Sequence, residues 1–181
     1  MKKAFIILAC AFTCSAILPV CAESGSTLAV AVKQSNEPIT KDVLVGEWRV
    51  EEGEGMRGIL SFNSNGKLNI TASETSNEEG MSITVKIDIK NVDWSVEHGK
   101  LILKFDSATV DLDIDLPAML AAYKDQVVKE FENQKNTILE EAKKTMANKS
   151  IIVNKLDNDT LLVELDEDGE HTKLVRIKND K

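Results

Sequence analysis

Ser82-Ile83-Thr84-Val85-Lys86-Ile87-Asp88-Ile89-Lys90 is the stretch whose reading decides the fold. Apolar, mostly β-branched residues take every second position, and hydroxyl or charged residues fill the places between. A period of two is the signature of a strand with one buried and one solvated face, and branched side chains suit that pleated surface. The same alternation spreads outward in both directions. Val92, Trp94 and Val96 continue it, and Leu68, Ile70 and Ala72 alternate with Lys67, Asn69, Thr71 and Ser73. Leu101, Leu103 and Phe105 follow, then Val110, Leu112 and Ile114 interleaved with Asp111, Asp113 and Asp115. Upstream, Leu44, Gly46, Trp48 and Val50 share a face of a first strand, and residues 58–63 form a second. Downstream, 151–156, 161–165 and 172–178 read as three more.

Turn chemistry punctuates these runs. Asn63-Ser64-Asn65-Gly66 is a hairpin signal, because Asn-Gly accepts the positive φ values of a tight turn. Glu97-His98-Gly99-Lys100, Asp157-Asn158-Asp159 and Asp168-Gly169 reverse the chain elsewhere, and the polar run 75–80 reads as a loop. The expectation is a mainly β fold of eight to ten antiparallel strands in a meander. An open sheet of this kind would leave long unpaired edges, which closure into a barrel removes.

One segment breaks the period. From Pro117 to Lys149, Leu120, Tyr123, Val127, Phe131, Ile138, Ala142 and Met146 recur at threes and fours, or multiples of them, the spacing of a helical face. Pro117 suits a first helical turn. Asn133-Gln134-Lys135-Asn136 is a weak helical stretch, and Thr137-Ile138-Leu139-Glu140 reads as a capping box. The expectation is a helical insertion over about 117–149, before the last hairpin, made of two helices broken at 133–136, with one long helix as the alternative.

A Gly46-Glu47-Trp48 start, a run of alternating strands and Arg176 in the last strand resemble the lipocalin-like (calycin) domains of bacterial envelope proteins, over about residues 43–178. In that family the tryptophan plugs one barrel end and the arginine packs over it. The resemblance implies that Gly46, Trp48 and Arg176 are structural and that the domain is a container or binding surface. The helix before the last hairpin departs from the family pattern, so strand order and ligand chemistry are not carried over.

Composition narrows the function. The chain has 181 residues, a formal net charge of −8 and three cysteines. Its start, Met1-Lys2-Lys3 followed by an apolar run to Val20, reads as a secretory signal peptide over 1–22, with Val20-Cys21-Ala22 as the exit. Export to a periplasm or exterior follows, the alternative being a lipoprotein anchored through Cys21. Residues 23–41, rich in Ser, Thr and Ala, read as a flexible leader to a domain over 42–179. Cys10, Cys14 and Cys21 all precede the expected cleavage, so disulfides and thiolate chemistry are not expected of the remainder. Excess acid repels phosphate backbones and anionic lipid, so nucleic acid is excluded as a partner. No later run is long and apolar enough to span a bilayer.

Candidate chemistry is sparse. Asp111, Asp113 and Asp115 project about 7 Å apart on one strand face, but the opposite face is the apolar one, so they read as a solvated stripe. Asp166-Glu167-Asp168-Gly169-Glu170 is acidic like a calcium loop, yet a twelfth-position carboxylate is missing and strands flank it. His98 and His171 stand beside turns with no metal-ligand spacing. Nucleophile elbows, phosphate loops and dinucleotide fingerprints are lacking, so neither an enzyme nor a cofactor is expected. The expected function is binding of a small apolar ligand or lipid inside the barrel, with Tyr123, Phe131 and Met146 as ligand-facing residues of a helical lid. The alternative is a solid-cored module that binds another envelope protein through its acidic and helical surface.

Overall fold

The computed structural model describes residues 39–51, 56–78, 81–146, 151–165 and 171–178. The expected signal peptide, the leader as far as residue 38 and the acidic turn 166–170 lie outside these residues. Nine strands form: β1 (Gly46–Glu51), β2 (Met56–Phe62), β3 (Lys67–Glu78), β4 (Met81–Glu97), β5 (Lys100–Lys104), β6 (Thr109–Asp115), β7 (Ile151–Lys155), β8 (Thr160–Leu165) and β9 (His171–Arg176). A single helical turn, α1 (Lys41–Leu44), precedes them. A 3-10 turn (Ala118–Tyr123) and the helix α2 (Lys124–Met146) separate β6 from β7.

All nine strands belong to one antiparallel sheet, and eight of them close on themselves. β1 pairs with β2 on one side and β9 on the other, setting Trp48 opposite Arg176. β2, β3, β4, β5, β7, β8 and β9 complete the ring. β6 is the extra strand: it pairs with the first half of β4, along the edge whose second half carries β5.

Closure with one apolar face inward demands that the alternation keep phase along β4, which is 17 residues long. It does so through a bulge. Leu68 stands opposite Val92 but Ile70 opposite Ile89, so β4 carries an extra residue there. Asn91 absorbs it at φ +60, and its N–H donates to Asn69 Oδ1 at 3.1 Å. The odd-numbered face of Ile87 and Ile89 thereby turns inward together with the even-numbered face of Val92 and Trp94, and all four are buried.

The registers also fix the width of the barrel. An inward row runs from Val50 through Gly58, Ala72 and Ile87 to Leu112. In the other direction it runs through Leu174 and Leu161 to Lys155. Ile151, on the same strand as Lys155, is level with Leu101 and Val96; Val92, on the same strand as Val96, is level with Leu68, Phe62 and Gly46. A circuit therefore returns to β1 displaced by about 12 residues, and eight strands with that stagger tilt by roughly 45° around a backbone radius of about 9 Å.

Two expectations need correction. The run 75–80 is not a loop throughout, because β3 continues to Glu78 and pairs with β4. Backbone bonding and the Thr75–Thr84 hydroxyl pair at 3.0 Å hold this hairpin, whose polar side chains show no apolar alternation to betray it. The helix is not broken at 133–136. Solvated Asn133 and Asn136 are tolerated, and Gln134–Glu130, Lys135–Glu132 and Lys143–Glu140 pairs staple its surface. Thr137 sits inside α2, so it is no N-cap; the change of helix type falls at Tyr123–Lys124 instead. Ahead of β1, Ile39 is buried and Lys41 opens α1.

Candidate functional site: the barrel interior and its two ends

One end of the barrel is shut by α1. Trp48 is fully buried, and its Nε1 donates to Leu44 O at 2.7 Å. The Arg176 guanidinium lies 4.1 Å from the Trp48 ring centroid. Its Nη1 donates to Val45 O at 3.0 Å and its Nη2 to Val43 O at 2.8 Å. Three successive carbonyls at the end of a four-residue helical turn thus receive donors from β1 and β9. That answers the free carbonyls which a helix of this length leaves behind. Gly46 makes room: its φ is +130, and a Cβ there would stand 2.6 Å from Arg176 Nη1. Beside this plug, Trp94 meets Phe62 edge-to-face at 5.1 Å, with the Lys41 ammonium 5.3 Å from its ring.

Along the barrel axis the burial changes. Trp48, Leu60, Ile70, Ile89 and Val110 form one inward row and are all buried. In the next row away from the plug, Ile87, Leu161 and Leu174 are buried, but Val50, Gly58, Ala72 and Leu112 are only half-buried. One row further, Val85 is half-buried and Glu74 exposed, while Ile114, opposite Val85, is buried. These positions point inward by register, so their partial exposure marks a mouth at the end opposite Trp48. Gly58 and Ala72 are neighbours there and contribute almost no side chain; Val50 leans over Gly58, with Cγ2 2.9 Å from where a Cβ would stand.

The helical insertion does two jobs at its two ends. Ala142 and Met146 are buried in the barrel's core cluster, and Leu139 and Phe131 pack against it. Toward the 3-10 turn the chain emerges into solvent. Met119 is 73% exposed and Tyr123 58%, the large hydrophobics that stand exposed among the described residues. This turn follows directly on the end of β6, whose Leu112 and Ile114 are level with Ile87 and Val85, so it belongs to the mouth end.

Tyr123, Phe131 and Met146, expected as one ligand-facing set, are not brought together. Tyr123 is in solvent, Phe131 packs on the core and Met146 is part of it. At 1.5 Å per residue, Tyr123 and Met146 are separated by roughly 35 Å along the helix. The residues that line the mouth, Val50, Gly58, Ala72, Val85 and Leu112, were missed. The available signal was the pair of small residues at inward positions of two adjacent strands.

The outer face is a network of solvated charge. Asp111, Asp113 and Asp115 are exposed, with Lys90 2.8 Å from Asp111 and Lys124 3.8 Å from Asp113. The Asp111 hydrogen bond pushes Lys90 up from its ordinary range. Burial pushes the Asp88 carboxyl up, but the bonds from Thr71 and Lys86, with their neighbouring positive charge, outweigh it and hold that group low. Asp93 is also held low, by Lys67 at 2.6 Å and the Ser107 hydroxyl at 2.7 Å. In the β7–β8 turn the Asp159 N–H, 2.8 Å away, lowers Asp157. His98 lies in the β4–β5 turn at the plugged end and His171 at the start of β9 near the mouth, so the two histidines do not meet. Among the described residues, no three His, Cys, Asp or Glu side chains are grouped so as to hold a metal ion, and no helix is long and apolar enough to cross a membrane.

No protein-family model, no curated protein and no solved structure matches this chain.

Proposed function

We propose that this chain is an exported, non-enzymatic, lipocalin-like protein that takes one small apolar molecule, of lipid type, into the barrel through the end opposite Trp48. The observation that carries the reading is the half-buried inward row Val50, Gly58, Ala72 and Leu112, set in a wall staggered enough to be wide. Sites for small molecules are concave and mainly apolar, and an eight-stranded barrel either fills with its own side chains or holds one ligand. Two adjacent inward positions without bulk favour the second outcome. The buried part of α2 braces the wall, and the exposed 3-10 turn beside the mouth is the entrance. Export rests on the N-terminal segment read from the sequence.

Native mass spectrometry of protein purified from its host tests the proposal. A bound species of lipid size that extracts into organic solvent is expected. Bare protein, together with no uptake of an uncharged lipophilic dye, would overturn it. A second reading, docking of another envelope protein, is favoured by the exposure of Met119 and Tyr123. A stoichiometric protein partner that is lost on Met119→Ser and Tyr123→Ser, beside an empty lipid extract, would select it.

A further inference from the structure

Residues 116–123, Leu-Pro-Ala-Met-Leu-Ala-Ala-Tyr, form an uncharged run that follows directly on β6 at the mouth end. No residue of the 3-10 turn is buried. Met119 and Tyr123 stand out into solvent, and Ala118, Ala121 and Ala122 are exposed with them. The turn is nevertheless fixed in place. Leu120 N–H donates to Pro117 O at 2.8 Å, Lys124 stands 3.8 Å from Asp113, and the far end of α2 is anchored by Ala142 and Met146 in the core. An apolar run held in water beside an entrance marks a contact surface for something less polar than water. The charges around it decide what that is. Asp113, Asp115, Lys124 and Asp125 flank the run and are all exposed, three acids to one base on a chain of net charge −8. Anionic lipid is repelled by such a rim. A zwitterionic phospholipid is complementary to it: the choline or ethanolamine cation lies outermost, where the aspartates meet it, and the phosphate lies beneath, within reach of Lys124. Tyrosine suits this layer, with its ring among the acyl carbons and its hydroxyl at the head groups. Protein hot spots are built on Trp, Tyr and Arg, and this run of alanines offers one such residue.

We infer that residues 116–123 dock the mouth on the surface of a zwitterionic bilayer, from which the guest is drawn and to which it returns. A guest of lipid type has almost no free concentration in water, so an entrance set against the donor membrane removes the aqueous step. The purpose of the docking rests on the container reading above, while the docking itself is measured apart from it. The contact is shallow, reaching about 5–10 Å into the boundary between head groups and acyl chains. It is also reversible, because one short apolar anchor binds about as weakly as a single acyl chain, with an association constant on the order of 10⁴ M⁻¹.

Tyr123 is the single tyrosine of the chain, so protein isolated from its host after growth on 3-fluorotyrosine gives one ¹⁹F resonance that reads this turn and no other segment. Phosphatidylcholine vesicles carrying a nitroxide near the head group are expected to broaden that resonance. Phosphatidylglycerol vesicles are expected to broaden it far less at low salt, with the difference shrinking as salt rises. Met119→Ser is expected to weaken vesicle binding about fivefold, as the loss of one partly buried side chain implies, with Tm unchanged because Met119 lies outside the core. A resonance that phosphatidylcholine leaves sharp overturns the docking, and broadening that then follows addition of a purified envelope protein assigns the turn to that protein instead. Equal or stronger broadening by phosphatidylglycerol at low salt overturns the choice of a zwitterionic surface. Uptake of the uncharged dye N-phenyl-1-naphthylamine separates the two readings. Dye bound without any effect of vesicles on Tyr123 leaves the container and refutes the docking; vesicle contact at Tyr123 with no dye and an empty lipid extract leaves the docking and refutes the container.

Discussion

Replacing Arg176 by Ala removes the clasp that shuts the barrel. Two charged N–H donors leave the carbonyls of Val43 and Val45, and a guanidinium leaves the face of Trp48 at 4.1 Å. A hydrogen bond with a charged partner contributes about 1.5–3 kcal/mol, and a cation over an indole about 0.5–2 kcal/mol. Taken together, and discounted because the guanidinium is only part-buried and water can reach the freed carbonyls, the expected loss is about 4 kcal/mol. Arg176→Lys should lose roughly half as much, since one ammonium cannot span two carbonyls in the fork geometry. Urea unfolding followed by tryptophan fluorescence measures both variants, and hydrogen exchange at the Val45 amide should quicken as α1 loosens. A loss below about 1 kcal/mol for Arg176→Ala, with unchanged denaturant dependence, would show that the strands close without this clasp and that its geometry is incidental.

Other consequences follow from single contacts. Gly58→Ala sets a methyl 2.9 Å from Val50 Cγ2 and should destabilise by about 1–3 kcal/mol in the same unfolding assay. Asn136→Pro should cost about 3 kcal/mol or more, because the residue lies inside one continuous helix; near-wild-type stability would restore a break at 133–136. Ile87→Asp places an unpaired charge in the core and should leave the protein unfolded by circular dichroism. Asp93 has a folded pKa below its ordinary value, so its contribution is present above the unfolded value near 3.9 and is lost as pH falls through the lowered one. Asp93→Asn should therefore flatten the fall of Tm below about pH 4, and an unchanged acid limb would contradict that.

Much of the architecture was legible because the inward face is written residue by residue. Ile87, Ile89, Val92, Trp94, Leu101, Leu103 and Val110 were all assigned to the apolar side, and all are buried. The Thr75–Glu78 end of β3 was not legible, because a hairpin with both faces in solvent has no reason to alternate. Helix continuity through Asn133–Asn136 was hidden for another reason. Local propensity there differs by only tenths of a kcal/mol per residue, which surface pairs and the anchored end at Ala142 and Met146 offset. The mouth was the hardest to see. Whether Ala72 is sealed or reachable depends on the stagger summed around eight strands, and no single segment encodes that sum. The helix stripe held a related trap: Tyr123, Phe131 and Met146 share a period, but the wall lies beneath only part of the helix.

The account turns on an interior that can be entered opposite Trp48, and titrating N-phenyl-1-naphthylamine into wild-type protein and Ala72→Phe tests it most directly. Saturable uptake of about one dye per chain by the wild type, abolished by Ala72→Phe with the fold intact, is the predicted result. Equal uptake by both proteins, or none by the wild type, would contradict it.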